Sequence, residues 1–214
     1  EAAAIVHAQY ASARFVIVGG PDAFMPDYAV QLHSLAAARG LTGVMTFLGD
    51  REDIPALLAA FDIFVWLSTG EGMPHVIAEA GAAGLPVIAT QDNGALQQID
   101  EGVSGLFVGF GDPASVAAAM KTLIGSPDLR KRLGRTLRSK VETDYSTAAV
   151  IPKWERLFRD VAYERPSSRP QGLFSSFLQG GFECSTHRKR SGRRLDVRYL
   201  RWISTGSRPR SSRS

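Results

Sequence analysis

The sequence predicts an α/β domain with a Rossmann-like, doubly wound and mostly parallel sheet, and two observations carry this prediction. Short apolar runs rich in β-branched residues alternate along the chain with longer stretches of helical spacing. One of the runs, DIFVWLS (62–68), is apolar almost throughout, as expected for a strand that is covered on both faces. In such sheets ligands bind beyond the carboxyl ends of the strands, so the glycine-rich turns that follow the strands are where chemistry is expected.

The elements follow in order along the chain. Predicted helices begin at a capping residue or at a capping residue followed by proline, as at Asp53, Asp112-Pro113 and Ser126-Pro127, and one ends at Gly40. The predicted strands are RFVIVG (14–19), VMTFLG (44–49), DIFVWLS (62–68), LPVIAT (85–90) and GLFV (105–108). The predicted helices are 28–39, 53–61, 74–84, 113–124, 127–141 and about 146–163.

Charge divides the chain of 214 residues into two segments. Residues 1–164 have 13 basic and 19 acidic side chains, whereas residues 165–214 have 12 basic and 2 acidic ones. We therefore predict a domain at 1–164 and a disordered Arg/Ser-rich tail at 165–214. The acidic domain gives no reason to expect nucleic acid as a partner. Two interpretations of the tail stay open: an arm for nucleic acid or an anionic membrane, and, favoured, a segment without selected function.

Two classes of protein are excluded by composition. A single cysteine cannot form a disulfide framework or a cysteine-rich metal site. No apolar run reaches the roughly 18 residues that a membrane-spanning helix needs.

The stretch STGEGMPHVIAEAGAAGLPVIAT (68–90) places two glutamates around the predicted start of a helix. Glu79 stands in an apolar helix, where a buried carboxylate costs several kcal/mol unless it is paired or binds a ligand. The helix start is a potential anion site, and Glu79 lies roughly 7–8 Å further along the axis at 1.5 Å per residue. A sugar nucleotide would place its diphosphate at this start and its hydroxyls near the carboxylates of Glu71 and Glu79.

Other interpretations of the two glutamates stay open at this point. Glu79 could be a core carboxylate that accepts a backbone N–H, and Glu71 a solvated loop residue. A glycosidase would use the two as acid and base at roughly 5–9.5 Å separation. That reaction has no use for a phosphate site at a helix start, so we rank it low.

The Glu71-to-Glu79 spacing, E-x7-E, with the text around it resembles the signature of family 4 retaining glycosyltransferases of GT-B fold. The resemblance covers about residues 1–164. The supporting segments are EGMPHVIAEAGAAGLPVIAT (71–90), FVIVGGPD (15–22), VMTFLGDREDIPALLAAFDIFVWLS (44–68) and NGALQQIDEGVSGLFV (93–108). Gln97 departs from the pattern, because relatives usually carry glutamate in this turn.

The resemblance implies a set of residues that bind a nucleotide-sugar donor. Glu71 is the implied catalytic residue, which holds the donor sugar near the reacting centre, and Glu79 accepts from the ribose hydroxyls. The sugar and diphosphate are expected against Gly72, Met73, Pro74, His75 and Val76. The base is expected against Asp50, Arg51 and Asp53.

The implied function is the transfer of a sugar, with retention, from a UDP- or GDP-sugar to a glycan or lipid-linked acceptor. No metal and no other cofactor is expected, because positive groups and a helix dipole stabilise the leaving nucleotide diphosphate. The implied location is the cytoplasm, including peripheral attachment at the inner membrane surface.

This sequence lacks three features of the family: the G-R-x5-K stretch that clamps the phosphates, the first strand of the donor-binding domain, and the N-terminal domain. We therefore expect an N-terminally truncated donor-binding half that is inactive alone, and EAAAIVHAQY (1–10) already looks like the middle of a helix. The alternative function is a nucleotide-sugar-binding module without transferase activity.

Overall fold

The computed structural model describes residues 1–21 and 26–163, and these fall into two compact units. The first comprises the described residues up to Ser146, and the second begins at Thr147. The strands are β1 (Phe15–Ile17), β2 (Met45–Phe47), β3 (Phe64–Trp66), β4 (Val87–Thr90) and β5 (Gly105–Val108). The helices are α1 (Ala2–His7), α2 (Pro26–Ala38), α3 (Ile54–Ala59), α4 (His75–Ala82), α5 (Asn93–Gln98), α6 (Pro113–Gly125), α7 (Pro127–Asp144) and α8 (Thr147–Tyr163).

The described strands form two parallel sheets. β1 pairs with β2, with Val16 opposite Thr46, and β4 pairs with β3 on one side and β5 on the other. The α/β class with parallel strands is thus confirmed. Among the described residues, the two sheets do not share a hydrogen-bonded strand.

Strand β4 lies at the centre of the larger sheet, and all four of its residues are buried. Val87 and Ala89 belong to the cluster that includes Ile77 of α4 and Leu137 of α7. The side chain of Ile88 points to the opposite face and joins a second cluster with residues of α6 and α7. The alternation along β4 therefore anchors helices on both faces of the sheet, as in doubly wound folds.

Helix α4 is held against α7 at two glycines. A Cβ on Gly81 would lie 2.8 Å from Leu137 Cγ and from Val141 Cγ2, and a Cβ on Gly134 would overlap the carbonyl oxygen of Gly84. Side chains at these positions would push the helices apart, so the close approach fixes where α4 begins relative to the sheet.

Helix α6 begins at the predicted residue, and α7 begins at the predicted residue and extends three residues further. Most strands are shorter than predicted, and β5 has the predicted bounds. The predicted helices do not include α5 (Asn93–Gln98), so this helix was missed. This helix has no apolar repeat that would mark it in the sequence.

Helix α8 belongs to the second unit. It contains Pro152, and its Trp154 and Phe158 rings stack with centroids 5.8 Å apart. The predicted basic tail at 165–214 lies outside the described residues. None of the helices in the described ranges is long and apolar enough to cross a membrane.

Candidate functional site

The rim of the larger sheet is shaped by the start of α4, which lies beyond the carboxyl end of β3. Pro74 occupies the N-cap position, is buried, and has an extended backbone with ψ 105°. Proline has no side-chain acceptor, and no side chain caps this helix. The first-turn N–H groups of α4 are therefore not closed by a cap, and the positive end of the helix dipole faces the rim.

The segment before the helix presents two different surfaces. Glu71 is half-buried, whereas Gly72 and Met73 are exposed. A Cβ added to Gly72 would meet no atom within 4 Å, so the backbone here borders open space. The main chain at Gly72 is thus open to close approach by another molecule.

Glu79 lies on the exposed face of α4, so the alternative that it is a core carboxylate is wrong. The buried positions of α4 are Ile77, Ala80 and Gly81, and Glu79 projects away from that stripe at 100° per residue. The sequence misled because the residues around Glu79 are small and apolar on every side of the helix, so they do not define which face is buried. Exposure removes the need for an internal partner and leaves the carboxylate accessible.

The first two residues of α4, His75 and Val76, differ in the exposure of their side chains. The side chain of His75 is exposed. Val76 is partly buried and packs against the cluster around Ile77. Val76 can therefore face a ligand through its backbone N–H, while its side chain contributes to the core.

The loop after β2 carries the residues expected to contact the base. Asp50 Oδ1 accepts a hydrogen bond of 2.7 Å from the Gly20 N–H, which joins this loop to the one after β1. Arg51 donates to both carboxylate oxygens of Asp53, at 2.8 Å from Nε and 2.6 Å from the terminal nitrogen. That hydrogen bond lowers the pKa of the Asp53 carboxyl and raises the pKa of the Arg51 guanidinium.

Asp53 takes the N-cap position of α3 but forms no side-chain cap hydrogen bond. The predicted N-cap position is therefore correct, but the carboxylate pairs with Arg51 instead of capping the helix. The planar, paired guanidinium is exposed in the loop after β2, where it can stack on or donate to a ligand.

Three residues that the sequence analysis did not assign to the site contact the loop before α4. The carboxylate of Asp92 accepts from the Glu71 N–H at 3.0 Å, and Gln98 Nε2 donates to the Pro74 carbonyl at 3.0 Å. A Cβ on Gly94 would lie 2.5 Å from the Glu71 carbonyl oxygen. The only sequence signal was Asp-Asn-Gly directly after a strand, which is equally typical of an ordinary turn.

No group of three or more His, Cys, Asp or Glu side chains within residues 1–21 and 26–163 is placed to hold a metal ion.

Comparison with known proteins identifies the class of protein. Structures of glycosyltransferases superpose on this chain. The crystal structure of Anabaena Alr3699/HepE in complex with UDP aligns with a TM-score of 0.70 and 26% identity, over 74% of this chain and 43% of that one. The C-terminal domain of the group 1 glycosyl transferase LpcC from Francisella tularensis aligns with a TM-score of 0.64 and 26% identity, over 68% of this chain and 76% of that one.

A sequence profile described as "Glycosyl transferases group 1" matches residues 1–140, and the chain belongs to this family of glycosyltransferases with GT-B fold. The lipopolysaccharide core biosynthesis glycosyltransferase LpsE of Rhizobium meliloti is 32% identical over 126 residues, which are 59% of this chain and 37% of LpsE. The chain also matches the D-inositol 3-phosphate glycosyltransferase of Corynebacterium kroppenstedtii, of which it covers 35%. It therefore spans about a third of the length of these curated relatives.

Proposed function

We propose that this chain is the donor-binding part of a family 4, retaining glycosyltransferase that transfers a sugar from a nucleotide sugar to a glycan or lipid-linked acceptor. The observation that carries the proposal is the arrangement of Glu71 and Glu79 on either side of the uncapped start of α4. Family membership and the UDP and UDP-glucose complexes of Alr3699/HepE support the same ligand class.

Each part of the donor has a chemically suitable partner at this rim. The diphosphate lies at the first-turn N–H groups of His75 and Val76, where the helix dipole stabilises negative charge. The exposed carboxylate of Glu79 accepts from the ribose hydroxyls, and the base lies against Asp50 and the Arg51–Asp53 pair.

The donor sugar lies along Gly72 to Pro74, within reach of Glu71. The half-buried Glu71 carboxylate accepts from the sugar hydroxyls and holds the anomeric carbon in position. As the bond to the nucleotide breaks, negative charge grows on the diphosphate, and the α4 N-terminus stabilises it. The pair of glutamates thus binds and orients, and no metal is required for this step.

Calorimetric titration of the 214-residue chain with UDP, GDP and their sugars tests the donor site. We expect saturable binding that Glu79→Ala weakens about tenfold, since hydrogen bonds to charged groups contribute about 1.5–3 kcal/mol. Glu142→Ala is the matched control, because Glu142 is an exposed helical glutamate of α7 whose ion pair with Arg138 is solvated.

If none of these nucleotides and nucleotide sugars binds, the proposed donor site is overturned. Transfer is measured on the full-length protein and not on this donor-binding part. Binding by the full-length protein without transfer to any glycan or lipid acceptor would favour the alternative, a nucleotide-sugar-binding module. In the full-length protein, Glu71→Ala should lower the turnover number more than the donor affinity. The anomeric configuration of the transferred sugar, measured by NMR, tests whether the reaction proceeds with retention.

A further inference from the structure

The segment from Asp92 to Gln98 contacts the backbone of the loop before α4 at three points. Asp92 Oδ2 accepts from the Glu71 N–H, Gln98 Nε2 donates to the Pro74 carbonyl, and Gly94 lies directly against Glu71 and Gly72. Both hydrogen bonds end on main-chain groups, and Gly94 lies against main-chain atoms of Glu71 and Gly72 and the Pro74 ring. The contacts therefore set the position of this loop without occupying the side chains that face the rim.

We propose that Asp92 and Gln98 are positioning residues of the donor site, which hold the Glu71–Pro74 loop in its ligand-binding conformation. The proposal rests on the proposed function, since it concerns the same site. It assigns a role to residues of α5 that do not themselves touch the donor.

Asp92 is used differently from an ordinary N-cap. It occupies the N-cap position of α5, and aspartate there usually accepts from its own helix, but no side-chain cap hydrogen bond is formed. Its carboxylate reaches the N–H of Glu71 instead, 21 residues earlier in the chain. The charge-assisted bond thus restrains the backbone of the residue that holds the donor sugar.

The buried position of Gln98 has an energetic cost. The side chain is fully buried, and its Oε1 has no hydrogen-bond partner among the described residues. A buried, unpaired acceptor is destabilising, and an apolar side chain of similar size would avoid it. The contact that offsets this is the amide's donation to the carbonyls of Pro74 and, at 3.4 Å, Gly94.

A fixed loop matters for this site because the loop determines two things together. The Glu71 backbone sets where its carboxylate lies, and Pro74 sets the direction of the first α4 N–H groups. A loop that moves freely would have to be ordered on binding, at a cost in affinity. Preorganisation by α5 removes that cost.

Two substitutions at Asp92 test the proposal by calorimetric titration of the 214-residue chain with UDP. Asp92→Ala removes the acceptor, and we expect it to weaken UDP binding about tenfold, the equivalent of one charge-assisted hydrogen bond. Asp92→Asn keeps an acceptor of the same shape and should restore most of the affinity. Asp112→Ala is the matched control: it removes an aspartate from the N-cap of α6 and should leave UDP affinity unchanged.

A second measurement reports on the loop without a ligand. Hydrogen exchange of the Glu71 amide by NMR should accelerate in Asp92→Ala and in Gln98→Met, but not in Asp112→Ala. A merely structural role in folding would accelerate exchange throughout the domain instead of at the loop, and that pattern would overturn the proposal.

The outcomes separate this inference from the proposed function. If the unchanged chain binds no nucleotide, the proposed function fails. If the unchanged chain binds UDP, and Asp92→Ala binds it equally well with unchanged Glu71 exchange, the positioning role alone is overturned. Equal losses of UDP affinity in Asp92→Asn and Asp92→Ala, with unchanged exchange of the Glu71 amide in both, would mean that the carboxylate acts on the ligand directly, which also contradicts a positioning role.

Discussion

Helices α4 and α6 of the same unit begin in opposite ways. At α6 the carboxylate of Asp112 accepts from the Ala114 and Ser115 N–H groups, at 3.0 and 3.1 Å. At α4 the equivalent position is Pro74, which cannot accept at all. Helix α6 thus caps its own N-terminus, whereas the N-terminus of α4 stays uncapped.

This difference separates stability from binding. A capped N-terminus such as that of α6 stabilises the fold and has no unsatisfied donors to offer. The uncapped N-terminus of α4 forgoes that stabilisation, and the loop ahead of it is held from outside, by α5. The aspartates show the same division, since Asp112 caps its own helix whereas Asp92 holds a loop from another part of the chain.

The largest effect is expected for Gly94→Ala, which disturbs the support of α4. The added Cβ would lie 2.5 Å from the Glu71 carbonyl oxygen and 2.7 Å from Pro74 Cδ, and both atoms belong to the loop. Such overpacking costs about 1–3 kcal/mol, and the displaced loop should lose most of its nucleotide affinity. Urea denaturation and UDP titration measure the two effects.

Gly125→Ala makes the same chemical change where there is room, since the nearest atom to the added Cβ is Tyr10 Oη at 3.8 Å. This variant should keep full stability and affinity. If Gly94→Ala behaved like Gly125→Ala, the loop would not depend on α5, and the comparison between the two helix starts would lose its basis.

A smaller effect is expected for Asp112→Ala, which opens the start of α6. The hydrogen bond from the Ser115 N–H lowers the pKa of Asp112 below its usual value of 3.8. A lowered pKa means that the carboxylate stabilises the folded state above that usual value, and that this contribution is lost as pH falls through the lowered pKa. The variant should therefore be less stable at neutral pH, and its difference from the unchanged chain should shrink below about pH 3.8.

Thermal unfolding at a series of pH values measures this difference. A stability deficit that stayed constant down to the lowest pH would show that Asp112 acts through packing and not through its charge. A change in UDP affinity would contradict the separation between the two helix starts.

The smallest effect is expected for Ser126→Ala at the start of α7. The Ser126 hydroxyl accepts from the Leu129 N–H at 3.4 Å, a long hydrogen bond, so the loss should lie near the lower limit of about 0.5 kcal/mol for an N-cap. Urea denaturation measures it. A loss larger than that of Asp112→Ala would mean that cap geometry does not rank these helix starts.

The sequence predicted those features that depend on local chemistry. The Asp112-Pro113 and Ser126-Pro127 pairs located two helix starts to the residue, and alternating apolar stretches located the strands, because caps and periodicity act over a few residues. The α4 start was predicted for the same reason: a loop of Gly and Pro follows an apolar strand.

The features that the sequence did not predict depend on contacts between distant segments. The exposure of Glu79 follows from which face of α4 meets α7, and Gly81 and Gly134 decide that across more than fifty residues of chain. The contact between Asp92 and Glu71 spans two loops, and Asp92-Asn93-Gly94 carries no sign of it. The assignment of Asp50, Arg51 and Asp53 to the base stays a prediction.

The central claim is that a nucleotide sugar binds at the uncapped start of α4, between Glu71 and Glu79. An NMR titration of the 214-residue chain with UDP-glucose tests it most directly, with the backbone amides of His75 and Val76 as reporters and those of Ala114 and Ser115 at α6 as internal reference. We expect saturable shifts at His75 and Val76 and none at Ala114 and Ser115. Shifts confined to other parts of the chain, or equal shifts at both helix starts, would contradict it.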